Sequence, residues 1–86
     1  MQITAKKGVF ECTMKATAAV NEYAMHCPKL SRYSPIATIW RSPAKLGGWL
    51  WQVGTTKGGG WECSSKQVAA QKALECYLDA RFLDLV

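Results

Sequence analysis

The sequence has little of what catalytic sites need. It contains one histidine, His26, and six acidic residues against eleven lysines and arginines. No Ser-His-Asp arrangement can be argued from that single histidine, and no two acids pair before the last quarter of the chain. The glycine run at 58–60 lacks the lysine and hydroxyl spacing of a phosphate-binding loop. We therefore expect no enzyme activity, no catalytic residues and no cofactor.

Close cysteine pairs and long apolar runs are also missing. The spacings between the four cysteines are 15, 36 and 13, whereas a zinc site needs at least one close pair of ligands. We expect buried free thiols and no metal. No stretch approaches the roughly 18 apolar residues of a membrane span, and no apolar run follows the first charges as in a secretory signal. The expected location is the cytoplasm, or the host cytoplasm if the chain is viral.

What the chain does have is positive charge and aromatic residues. Its 86 residues suit one domain, and 49% of them are apolar, including four tryptophans. The net charge of +5 is uneven, because residues 1–60 carry +6 and residues 61–86 carry −1. A basic surface favours a polyanion or an acidic protein partner.

The first part of the chain predicts an N-terminal extension followed by a helix. Residues 1–16 form the extension, which has room for two short strands. A helix is predicted over 17–27, because apolar residues recur there at helical spacing and Pro28 closes the segment. The apolar stripe consists of Val20, Tyr23, Ala24 and Cys27.

The remainder predicts three strands and a second helix. The strands cover 33–41, 49–53 and 61–63, and the glycine-rich stretch 55–60 is predicted to be a turn. The second helix has Ser64 at its N-cap with Gln67 three residues on, which fits a capping box. The predicted fold is α+β, in the order α-β-β-β-α. A three-stranded antiparallel sheet would carry both helices on one face, and residues 17–86 would form one domain.

This order, together with several short motifs, resembles the double-stranded RNA-binding domain family over residues 18–80. Residues 20–24 (Val-Asn-Glu-Tyr-Ala) are similar to the Leu-x-Glu-Tyr run of the family's first helix. Residues 49–53 resemble its second strand, and residues 65–74 resemble its Ser-Lys-Lys-x-Ala-Lys-x-x-Ala-Ala motif. The resemblance implies the α-β-β-β-α fold and recognition of duplex RNA shape through 2′-hydroxyls and phosphates.

The resemblance also implies three patches that contact RNA. They are the exposed face of the first helix, the loop after the first strand and the beginning of the last helix. The residues concerned are Asn21, Glu22, Pro43, Lys45, Lys66, Gln67 and Lys72.

Departures from the family pattern weaken the expected affinity for duplex RNA. Only Pro43 matches the family's Gly-Pro-x-His loop, and Gln67 and Ala70 replace two of its three helix lysines. Each lost phosphate contact removes about one counterion from the salt dependence. Duplex affinity should therefore be about 10–100-fold lower.

Two functions remain open at this point. The first is non-catalytic binding of double-stranded RNA, or of another nucleic acid, through a basic surface. The second is a protein–protein interaction module that binds an acidic protein or a copy of itself as a homodimer. A small phage- or virus-encoded inhibitor of a host nucleic-acid-processing enzyme would belong to the second class.

Overall fold

The fold is an antiparallel β-meander crossed by one long helix. A computed structural model describes residues 2–5, 8–43, 47–60 and 63–84, and the side chains of 81–84 are not considered. These residues form seven strands and one helix. The elements are β1 (Gln2–Ala5), β2 (Gly8–Glu11), β3 (Thr13–Ala16), β4 (Glu22–His26), β5 (Ala37–Arg41), β6 (Trp49–Val53), β7 (Thr56–Gly60) and α1 (Lys66–Asp84).

The strands form two antiparallel sheets. Strands β1 and β2 make a hairpin, and β3 to β7 make a five-stranded sheet in sequence order. Cys12 separates β2 from β3 and is fully buried. Strands that are neighbours in the five-stranded sheet are also consecutive in the chain. No connection in this sheet therefore has to pass over another strand.

One face of the five-stranded sheet packs against α1. Met25, Ala37 and Ile39 lie on this face, and each is at most 5% exposed. Three small helix residues, Ala69, Ala70 and Ala73, are fully buried and let the helix approach the strands closely. Leu74 is also fully buried, and burial of such a side chain contributes about 1.5–3 kcal/mol.

The N-terminal hairpin joins the same core from the side of the helix. Ile3 and Ala5 of β1 belong to the buried core cluster, and α1 packs against β1. The Gln71 side-chain amide donates a hydrogen bond of 3.0 Å to the Thr4 carbonyl oxygen. The core therefore contains residues from both ends of the chain.

The predicted α-β-β-β-α fold with three strands and two helices is wrong. Residues 17–27 form a turn and then β4, not a helix. Val20, a member of the predicted apolar stripe, is 88% exposed. The Thr17 amide donates to the Glu22 carbonyl at 3.0 Å, and Asn21 adopts a positive φ of 55°. This local turn starts β4, whose residues pair with β3 and β5.

Other predicted boundaries also change. The extension contains three strands, not two, and the strand predicted at 33–41 begins only at Ala37. The predicted turn at 55–60 is mostly β7, because the reversal is made by Gly54 and Thr55. In the strand predicted at 61–63, residues 61 and 62 lie outside the described part, and Cys63 is not in a strand.

The predicted C-terminal helix is confirmed, with a different N-cap. The Val68 amide donates to Ser65 Oγ at 3.2 Å, which makes Ser65 the N-cap and leaves Ser64 outside the helix. The Ala69 amide donates to the Ser65 carbonyl at 3.2 Å, the first bond of the helical ladder. Over the described ranges, no helix is long and apolar enough to cross a membrane.

Candidate functional site

The two faces of the five-stranded sheet carry different side chains. Residues paired across antiparallel strands point to the same face, and α1 packs on one face of this sheet, mainly against β5 and β6. The face away from α1 is called the open face here. Its residues are Thr13, Lys15, Glu22, Ala24, His26, Thr38, Trp40, Leu50, Gln52, Lys57 and Gly59.

One row across the open face has a lysine at each end. The strand pairings place Lys15, Ala24, Thr38, Gln52 and Lys57 side by side, from β3 at one edge to β7 at the other. Four strand spacings of about 4.8 Å separate the two end positions, which is a span of about 19 Å. Both lysines are exposed. The row is neutral between its ends, so positive charge sits at its two edges.

The adjacent row contains an apolar pair. Trp40 of β5 lies directly opposite Leu50 of β6, with Glu22 on one side and Gly59 on the other. Trp40 and Leu50 are partly exposed, and neither is among the apolar residues packed against the core. Glu22 accepts a hydrogen bond of 3.2 Å from the Thr17 hydroxyl.

A second cluster of aromatic and basic residues lies on the other face, near the beginning of α1. The Lys66 ammonium is 4.1 Å from the centroid of the Tyr23 ring. The Tyr23 ring in turn lies beside the Trp49 ring, with the two centroids 6.2 Å apart and the ring planes at 43° to each other. Arg41 pairs with Trp49 across β5 and β6. The contact with Tyr23 holds the Lys66 ammonium close to the sheet.

The residues implied by the family resemblance are spread over both sides of the sheet. Asn21 is exposed in the turn before β4, and its carbonyl accepts a hydrogen bond of 3.0 Å from the Arg41 amide. Glu22 lies on the open face, whereas Lys66 lies on the helix side. Pro43 is exposed after β5, and Lys45 lies outside the described residues.

Two further predicted residues lie on α1. Gln67 and Lys72 are both exposed. Lys72 lines a cavity of about 420 Å³ between the helix and β7, together with Trp51 and the acids Glu75 and Asp79. The structure therefore does not gather the predicted residues into one surface, because the first helix that would have carried Asn21 and Glu22 is a turn and a strand.

Sequence reasoning missed Lys15, Trp40, Leu50 and Lys57 as a group. The available signal was a possible alternation within 37–41, in which Ala37 and Ile39 would share one face and Thr38 and Trp40 the other. That alternation puts Trp40 on the face away from the core. The strand register needed to bring the other three residues beside it comes only from the structure.

The cysteines show no features of a reactive site. Three of them are fully buried, as predicted, and Cys76 is half-buried. Burial, and then a hydrogen bond with the Cys27 side chain, raises the pKa of Cys12 to about 12. Burial, and then the nearby Asp79, raises the pKa of Cys76. Thiols with raised pKa values are poor nucleophiles. The described residues contain no group of three or more His, Cys, Asp or Glu that could hold a metal ion.

No protein-family model, curated protein or solved structure matches this chain. The assignment to double-stranded RNA-binding domains stays a prediction, and the fold that it implied is the part that the structure overturns. The evidence for function therefore lies in the surface itself.

Proposed function

We propose that this chain is a non-catalytic nucleic-acid-binding domain and that the open face is its binding surface. The observation that carries the proposal is the position of Trp40 beside a row that ends in Lys15 and Lys57. Proteins that bind nucleic acid strands combine cations that follow the backbone with aromatic side chains on which bases stack. The open face offers both kinds of group.

The distribution of charge along the chain supports a polyanion as the ligand. All five strands of the large sheet come from residues 1–60, which carry a net charge of +6. The helix that covers the other face comes from residues 61–86, which carry −1. Within this basic part of the chain, the open face itself carries Lys15 and Lys57 against Glu22, so its net charge is positive but small.

The alternative is a protein partner, and one observation favours it. Trp40 and Leu50 form an aromatic–aliphatic pair, and tryptophan is enriched among residues that dominate protein interfaces. An acidic protein, such as a nucleic-acid-processing enzyme blocked by a small inhibitor, would fit the same lysines. A nucleic acid is distinguished by its salt dependence, because counterions are released from each neutralised phosphate.

The test is fluorescence anisotropy with labelled strands and duplexes of RNA and DNA of about 20 nucleotides, long enough for one domain of this size. Titrations at about 50 and 200 mM salt give the salt slope. The matched variants are Lys57→Glu, on the open face, and Lys72→Glu, on the helix, because both make the same charge change at exposed residues.

We expect salt-sensitive binding that Lys57→Glu weakens more than Lys72→Glu does. The loss of one phosphate contact should also lower the salt slope by about one unit. Equal effects of the two variants would show that the open face is not the binding surface. Absence of binding to every nucleic acid at low salt would overturn the proposal and favour the protein partner.

A further inference from the structure

The open face also indicates which form of nucleic acid it accepts. We infer that it binds a single strand, with an unpaired base stacked on Trp40 and the backbone crossing the sheet between Lys15 and Lys57. This inference rests on the proposed function and deepens it, because it names the class of ligand. Three features of the described residues carry it: the width of the face, the position of Trp40 and the sparse charge.

The width of the face decides against insertion into the major groove of a duplex. Its row of five residues spans about 19 Å, whereas the major groove of B-DNA is about 12 Å wide and admits a helix or a two-stranded ribbon. The major groove of an RNA duplex is too narrow for side chains to read. A five-stranded sheet therefore does not enter a major groove, and in the wide, shallow minor groove of an RNA duplex it would meet 2′-hydroxyls and base edges, not the base faces on which an indole stacks.

Trp40 is not part of the hydrophobic core, so core packing does not explain a tryptophan at this position. Trp49 and Trp51 pack against the core from the helix side, whereas Trp40 lies on the opposite face beside Leu50. Bases inside a duplex are already stacked on both sides, so this indole has nothing to stack on there. A single strand presents bases whose faces are free, and stacking on an aromatic side chain tolerates any base.

The number of charges also fits a short single strand. The open face carries Lys15 and Lys57 against Glu22, with His26 nearby. Two cations contact few phosphates, so the electrostatic part of the affinity is small and a stacking contribution is needed for useful binding. A site on the order of four nucleotides, the lower end of the range for one sheet-based domain, suits this arrangement.

The experiment compares a labelled oligothymidine and a labelled oligouridine of about 12 nucleotides, three times the shortest site size, with a blunt duplex of the same length. Each is titrated with the wild type, with Trp40→Ala and with Trp40→Phe, which keeps an aromatic face. Tyr33→Ala is the matched control, because Tyr33 is an aromatic residue that is 88% exposed in the loop before β5. Circular dichroism and thermal melting confirm that each variant is folded.

We expect the single strands to bind more tightly than the duplex. Trp40→Ala should weaken single-strand binding by about 5- to 150-fold, the effect of losing one stacked base. Trp40→Phe should retain most of the affinity, and Tyr33→Ala should leave it unchanged.

The outcomes separate this inference from the proposed function. A duplex preference of the wild type would overturn the inference without any variant, and would make Lys66 and Lys72 of α1 the next residues to test. Equal single-strand binding by the wild type and folded Trp40→Ala would also overturn it, while salt-sensitive binding blocked by Lys57→Glu would leave the proposed function standing. Failure to bind any nucleic acid would overturn both.

Discussion

The Lys66 ammonium lies 4.1 Å from the centroid of the Tyr23 ring, which joins the first turn of α1 to strand β4. Both side chains are partly buried, and a cation over an aromatic face contributes about 0.5–1 kcal/mol at such a site. Lys66→Gln should lower the free energy of unfolding by that amount. Urea denaturation measures it, with Lys72→Gln on the same helix as a control expected near zero.

A double-mutant cycle with Tyr23→Leu isolates this contact from other effects. If Lys66→Gln costs as much in the Tyr23→Leu background as in the wild type, the cation–ring contact contributes nothing to stability.

The N-cap of α1 gives a second prediction. Ser65 Oγ accepts a hydrogen bond from the Val68 amide, which would otherwise lack a partner within the helix. Ser65→Ala should cost about 1 kcal/mol of stability. Ser64→Ala is the matched control and should cost little. The opposite ranking in thermal or urea unfolding would restore Ser64 as the N-cap that the sequence predicts.

A third prediction concerns Gly58 in β7. A Cβ atom built at this position would overlap the indole of Trp51, which lies over the glycine on the helix side of the sheet. Gly58→Ala should therefore destabilise the fold by about 1–3 kcal/mol, as expected when a packed site is overfilled. Shortening the indole with Trp51→Leu should relieve part of that cost. If Gly58→Ala were as stable as the wild type in urea denaturation, that result would contradict the packing of Trp51 over this strand.

The Cys12 thiol makes stability depend on pH in the alkaline range. Burial and the contact with Cys27 raise its pKa from 9.0 to about 12 in the folded protein. Between these values the unfolded chain loses the proton and the folded chain keeps it, so ionisation favours unfolding. The stabilising effect of the neutral thiol is complete below pH 9.0 and is lost as pH rises towards about 12.

Urea denaturation at pH 8 and at about pH 10.5, between the two pKa values of the thiol, measures this decline. Cys12→Ala should start from a lower stability, because it leaves a cavity, but should decline less steeply over the same interval. Parallel pH profiles for the two proteins would show that Cys12 does not titrate differently in the folded and unfolded states.

The sequence predicted the C-terminal helix because its signals are local. A serine cap and small residues at helical spacing specify a helix without reference to the rest of the chain. The segment 17–27 carried two patterns at once. Tyr23, Met25 and Cys27 alternate as in a strand, while Val20, Tyr23 and Cys27 follow a helical period. Pairing of β4 with β3 and β5 decides between them, and a local pattern does not contain that information.

The open face was beyond sequence reasoning for a related reason. Lys15 and Lys57 lie more than 40 positions apart and share a row only through four successive strand registers. One of those registers involves the glycines of β7, which have no strand preference of their own. The composition of that segment therefore predicts a turn. Only its pairing with β6, which the composition does not show, makes it a strand.

The hydrogen bond from Gln71 to Thr4 has a consequence for the order of folding. The five-stranded meander can form from contacts between neighbouring segments, which are the quickest to close. Strand β1 contacts α1 across 67 positions of the chain. On the ribosome, Ile3 is made well before α1 and has no buried place until that helix has also been made. Strand β1 thus waits for a segment far along the chain before it reaches its native environment.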